Sequence, residues 1–116
     1  MQQLTSNVFA ETQIRGCNHG FVTTSDGIVM IDSPHKPSDA LQLKAEIAKR
    51  GQLRYIINTE PHGDHWTGNA FFDVPVVAQQ GVRESWALIW PRMSRVWLPS
   101  GRKSPSFWKT INPMCR

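Results

Sequence analysis

Between Asn58 and Asn69 the chain reads Asn-Thr-Glu-Pro-His-Gly-Asp-His-Trp-Thr-Gly-Asn, which sets two carboxylates and two imidazoles at Glu60, His62, Asp64 and His65. Glu60, His62 and Asp64 are spaced i, i+2, i+4, so an extended segment presents all three on one side. His65 breaks that alternation, and Gly63 is expected to supply the positive φ that turns Asp64 and His65 back together. Imidazole nitrogen and carboxylate oxygen suit zinc, with iron or manganese also compatible, and do not suit copper(I). Three or four donors close one site and not two, so one zinc-class ion is expected. The competing reading is a solvated polar loop. Two His and two acids between an apolar run and Thr-Gly-Asn favour the metal.

The elements that must position these residues follow from local pattern. Residues 22–24 and 28–31 are apolar or β-branched runs on either side of Ser25-Asp26-Gly27, a hairpin signal. Asp32-Ser33-Pro34 stops the second strand. Ser38 is the expected N-cap of a helix over 39–50, with Asp39 at its positive end and Gly51 closing it. Leu41, Leu43, Ile47 and Ala48 would form its buried face. Residues 53–57 read as the strand that delivers the chain to Glu60. A short helix is expected over 67–72, a strand over 74–78 and a helix over 82–90. Alternating strands and helices argue an α/β fold.

Composition bounds the function classes. At 116 residues the chain makes one domain at most; 40% of it is hydrophobic and 19% charged, as in soluble globular proteins. No apolar run approaches a membrane span, and Met1 to Ala10 shows neither a basic nor an apolar leader region. Cys17 and Cys115 lack metal or redox spacing, so Cys17 reads as a packed thiol and Cys115 as a free one. A reducing cytoplasm is the expected location. Residues 1–82 carry six Lys/Arg against eight acids, whereas 83–116 carry seven against Glu84 alone. Four of the five Trp and four of the eight Pro fall in that second stretch. The division is therefore 1–85, an ordered α/β unit, and 86–116, a basic Trp/Pro-rich tail. Pro91, Pro99, Pro105 and Pro113 should prevent any long helix there. Basic residues interleaved with Trp also suit single-stranded nucleic acid, the weaker reading because no nucleic-acid fold accompanies them.

The metal loop resembles the His-x-His-x-Asp-His signature of the metallo-β-lactamase-fold hydrolases, here Glu60-x-His62-x-Asp64-His65 with Thr67-Gly68-Asn69 behind it. Upstream, the segments 16–22 (Gly-Cys-Asn-His-Gly-Phe-Val) and 26–33 (Asp-Gly-Ile-Val-Met-Ile-Asp-Ser) resemble that family's first hairpin. The resemblance runs to about Glu84. Glu60 stands where the family has its first His. The resemblance implies the first half of an αββα sandwich, with Glu60 and His62 serving one metal and Asp64 and His65 a second. It also implies that Asp64 orients the attacking water, and that Asp32 steadies the loop from behind. A plain strand-ending role for Asp32 is the alternative.

In that family the site is completed downstream by two further His and a bridging Asp. Here no His follows His65. Of the upstream histidines, His19 reads as a hydrogen-bonded loop residue rather than a site residue, and His35, between prolines, as solvent-exposed. The resemblance thus implies a zinc hydrolase truncated after about residue 85 and inactive by itself. The alternative is a catalytically dead metal-binding remnant that self-associates through its open sheet, near residues 53–57 and 74–78. β-Lactams, thioesters, lactones and phosphodiesters all fall within the family's substrates, and no residue here selects among them.

Overall fold

The computed structural model describes residues 1–97, and of these the side chains of all but Trp90 and residues 93–97. The expected features at Pro99, Pro105, Trp108, Pro113 and Cys115 lie outside the described residues.

A tight Thr24–Gly27 turn sets the centre of the fold. Gly27 has φ +116°, and a Cβ there would stand 2.7 Å from the Gln52 carbonyl oxygen, so only glycine fits. The turn joins β3 (His19–Thr24) to β4 (Gly27–Ile31), paired from Thr24↔Gly27 to Gly20↔Ile31. On one side β2 (Val8–Glu11) adds antiparallel to β3, and β1 (Gln2–Gln3) to β2. On the other, β5 (Leu53–Asn58) and then β6 (Val76–Ala78) add in parallel. Among the described residues the sheet has six strands in sequential order. β1 and β2 escape the sequence reading, since Val8-Phe9-Ala10 is too short an apolar run to declare a strand.

Parallel pairing of β4 with β5 requires a crossover, and α1 (Pro37–Ala48) supplies it. Its cap is Lys36 and not Ser38: Pro37 occupies the first turn, where its fixed φ and missing N–H are harmless, and no side-chain cap bond forms. The buried face is Ala40, Leu43 and Ile47, spaced i, i+3, i+7, while Leu41 stays 55% exposed and Ala48 also faces solvent. That face packs on Phe21, Ile28, Met30, Ile56 and Val76 of the sheet. Burying side chains of this size stabilises by about 1.5–3 kcal/mol each.

After β5, a helical turn α2 (Gly63–Trp66) runs into a 3-10 turn (Thr67–Phe71), and Trp66 and Phe72 on either side of that turn join the same core. The last described element, α3 (Gln80–Trp97), is longer than expected. Val82, Trp86 and Ile89 share one face and pack on the core, and the helix crosses residue 85. Pro91 lies inside it and does not end it, contrary to expectation: proline removes one backbone donor, and the turns on either side carry the helix through. Among the described residues no helix is long and apolar enough to cross a membrane.

Candidate metal centre

The site forms where β4 and β5 end side by side. Asp32, the first residue past β4, is 3% exposed and takes φ +56°, the one non-glycine residue with positive φ among those described. Aspartate tolerates this region better than most residues, and the conformation aims its carboxylate across to β5. Oδ1 accepts the Thr59 N–H at 2.9 Å, and Oδ2 accepts the Thr59 hydroxyl at 2.6 Å. Oδ2 also lies 2.9 Å from His65 Nδ1. The buried carboxylate thus ties the exit of β5 to the imidazole of His65.

Gly63 does not adopt a positive φ; it starts α2 after an extended His62, and the helical turn swings His65 back beneath the loop. Trp66 secures that turn by donating its indole N–H to the Pro61 carbonyl at 3.0 Å. Gly68 passes so close to the Ser33–Pro34 backbone that a Cβ would collide with the Pro34 carbonyl.

Glu60 is the hub of the loop. Its Oε2 contacts His62 Nδ1, and its Oε1 lies 2.6 Å from His65 Nε2. With Nδ1–H of His65 given to Asp32, Nε2 presents its lone pair to a carboxylate oxygen. Two acceptors in contact require a proton or a cation between them, so the donor chemistry fits a metal of the zinc class. The three groups are nevertheless hydrogen-bonded to one another rather than spread as a coordination sphere. Among the described residues no group of three or more His, Cys, Asp or Glu side chains is arranged to hold an ion. The Glu60 carboxylate raises the His62 pKa above its usual range, by hydrogen bond first and charge second.

Asp64 stands apart from this chain of contacts. It occupies the first turn of α2, where a Cβ on Gly16 would lie 3.7 Å from its own Cβ and 3.3 Å from that of His35. His35 is half-buried, not solvent-exposed, with Nδ1 3.2 Å from the Thr67 hydroxyl. His19 is a strand residue and not a loop one: it opens β3 opposite Glu11 and lines a cavity of about 400 Å³ beneath α1 with Phe9 and Leu43. Burial pushes its pKa down. Cys17 is buried as expected, with Sγ 3.6 Å from the Ser33 carbonyl.

Ser33, Asn58 and Asn69 are polar residues of the site that sequence reasoning passed over. All three are buried, and the first two donate to the His65 carbonyl. Only the polar end of the apolar run at Asn58 hinted at this.

A mixed sheet whose parallel strands deliver an acid- and imidazole-bearing loop at their C-terminal ends, backed by a buried aspartate, defines an α/β fold with its candidate site at the strand ends. The family model described as the metallo-beta-lactamase superfamily matches residues 13–106, and the chain belongs to that superfamily. Among solved structures it is similar to the DIM-1 metallo-β-lactamase exposed to ceftazidime, at 18% identity and TM-score 0.60 over 79% of this chain and 46% of that one. A subclass B3 metallo-β-lactamase of Bradyrhizobium japonicum matches at 28% and 0.55 over 68% of this chain and 32% of that one. A third, described as the first B3 metallo-β-lactamase with an active-site glutamic acid, matches at 26% and 0.58 over 72% and 34%. The chain spans about a third to just under a half of these structures. No curated protein matches. The architecture is accordingly part of a metallo-β-lactamase fold, corresponding to the N-terminal part of such structures.

Proposed function

We propose that this chain carries the ligand loop of a zinc-dependent hydrolase, binds one zinc-class ion, and turns over no substrate by itself. The observation that carries the reading is the contact of Glu60 with both His62 and His65 while Asp32 holds the far nitrogen of His65. Glu60, His62 and His65 would hold the ion, with Asp64 the further donor from the same loop. A bound zinc supplies Lewis acidity and lowers the pKa of a coordinated water. The chain's own residues do the rest: Asp32 fixes the His65 tautomer, and Asp64, through the resemblance, orients the water. A carboxylate at position 60 accords with the matched B3 enzyme described as having an active-site glutamic acid. It also lowers the acidity of the ion it binds, and this chain's loop offers that ion two imidazoles, His62 and His65. The free buried thiol of Cys17 accords with a reducing compartment such as the cytoplasm.

Metal content after exhaustive dialysis tests the first claim. About one zinc per chain is expected, falling to background in His62→Ala/His65→Ala; equal content in the two proteins would refute it. Turnover of nitrocefin, a thioester and a bis-phosphodiester with added zinc or manganese tests the second. The expected result is background, and activity abolished by His62→Ala would overturn it.

A second reading is self-association. Val22, Val29, Ile31 and Ile57 alternate with the buried core residues Phe21, Met30 and Ile56, and they form a half-exposed apolar face. Two copies covering each other's faces would sediment as a dimer, and a compact monomer at every concentration would exclude this.

A further inference from the structure

His65 is gripped at two points. Its imidazole is held through Nδ1 by Asp32, as described. Its backbone carbonyl accepts three donors: the Ser33 N–H at 2.8 Å, the Ser33 hydroxyl at 3.3 Å and Asn58 Nδ2 at 2.9 Å. Asn58 is oriented in turn, because its Oδ1 accepts Asn69 Nδ2 at 2.7 Å. Ser33 and Asn69 are 0% exposed and Asn58 is 3% exposed. The donors come from just past β4 and from the end of β5, and Asn69 of the 3-10 turn braces the second of them, so one carbonyl of α2 is tied to both strand ends. A peptide oxygen needs one partner to be satisfied, and three exceed what stability of a turn demands. Glu60 and His62 of the same loop have no such support. The His62 side chain is 76% exposed and that of Glu60 40%, and they contact one another and His65 within the loop.

Resting on the metal-binding reading above, we infer that Ser33, Asn58 and Asn69 are positioning residues for the ion. Ser33 and Asn58 clamp the carbonyl of His65, and Asn69 holds Asn58 in place, so that Nε2 is fixed before any ion arrives. The backbone clamp sets where the ligand stands, and Asp32 sets which way its ring faces. Fixing both removes the rotational freedom that ligand binding would otherwise cost.

The test measures zinc affinity by chelator competition and the cobalt(II) absorption spectrum of the full chain. Asn58→Ala should weaken zinc about 10- to 100-fold and shift the cobalt bands, as loss of a group that orients a ligand does. Ser33→Ala, which keeps the backbone donor, should weaken it less. In a His65→Ala background, Asn58→Ala should have no further effect on affinity. Unchanged affinity in Asn58→Ala, or an equal loss with and without His65, would overturn the inference, the second because it marks a general structural effect.

A metal-free measurement separates failure of this inference from failure of the metal reading. Carbon-13 relaxation at the histidine Cε1 positions should show an ordered His65 and a mobile His62. Asn58→Ala should free His65, and Ser33→Ala should do so in part. If the wild-type chain binds no metal, the proposed function falls, and an equally rigid His65 in both variants would then refute the clamp as well. If Asn58→Ala does not fold, Ser33→Ala and the wild-type contrast between His65 and His62 decide it: equal mobility of the two rings is the refuting result.

Discussion

The two sides of the metal loop are built on different principles. On the strand side, Asp32, Ser33, Asn58 and Asn69 are buried and each is hydrogen-bonded toward His65 or its neighbours. On the solvent side, Glu60 and His62 lean on one another, and Asp64 sits at the start of α2. Fold and site therefore share residues on one side only. A change on the strand side should be felt as lost stability as well as weaker metal binding, and one on the solvent side as lost chemistry in an intact fold.

The largest effect expected from this contrast is at Cys17, which lies against Ser33 under the strand side. Burial, then repulsion from Asp32, Asp64 and Glu60, pushes its thiol up to about 12. In a Cys115→Ser background, a disulfide reagent at pH 8 should react with the folded chain about a thousandfold more slowly than with the unfolded one. Because the raised pKa belongs to the folded state, its contribution to stability is complete below the ordinary thiol range and fades as pH climbs from there toward about 12. Rapid labelling of folded protein would show that the strand side is open.

Next comes Asp32→Ala. It removes the acceptor of the Thr59 amide and hydroxyl, releases His65 and places alanine at φ +56°, and should cost about 3 kcal/mol in urea unfolding. A smaller loss of about 1–2 kcal/mol is expected for Asn69→Ala, which leaves Asn58 Oδ1 without its donor. If either variant matches wild type, the strand side is not the structural one. The smallest effect is that of His62→Ala: with both proteins metal-free, its melting temperature should stay at the wild-type value, while its capacity to bind metal is lost. A marked fall in its melting temperature would erase the distinction between the two sides.

Much of the frame was legible in the sequence. Ser25-Asp26-Gly27 declares the β3–β4 turn because only glycine tolerates φ +116° there. β5 reads from its apolar run, and the carboxylate and imidazole spacing marks the loop. The clamp on His65 was not legible, because it acts on a backbone carbonyl and no residue type announces which peptide oxygen will be crowded. Nor was the grouping within the loop. Alternation places Glu60, His62 and Asp64 together, but the helical turn from Gly63 brings His65 to Glu60 instead and leaves Asp64 beside Gly16. The length of α3 is not legible because Pro91 reads as a stop in the sequence, whereas the face made by Val82, Trp86 and Ile89 packs on the core and carries the helix through it.

The sequential order of the strands has a consequence for how the chain comes to be folded. Every strand of the described sheet pairs with the one made just before it, so no early strand waits for a distant partner. β1 through β4 can close as local hairpins while later residues are still being synthesised, and local closure is fast. β5 is the first strand to need a crossover, and it docks only once α1 has formed over the hairpin. The loop bearing Glu60, His62 and His65 therefore takes shape after β1 through β4 are paired, with β6 and α3 still to be added behind it.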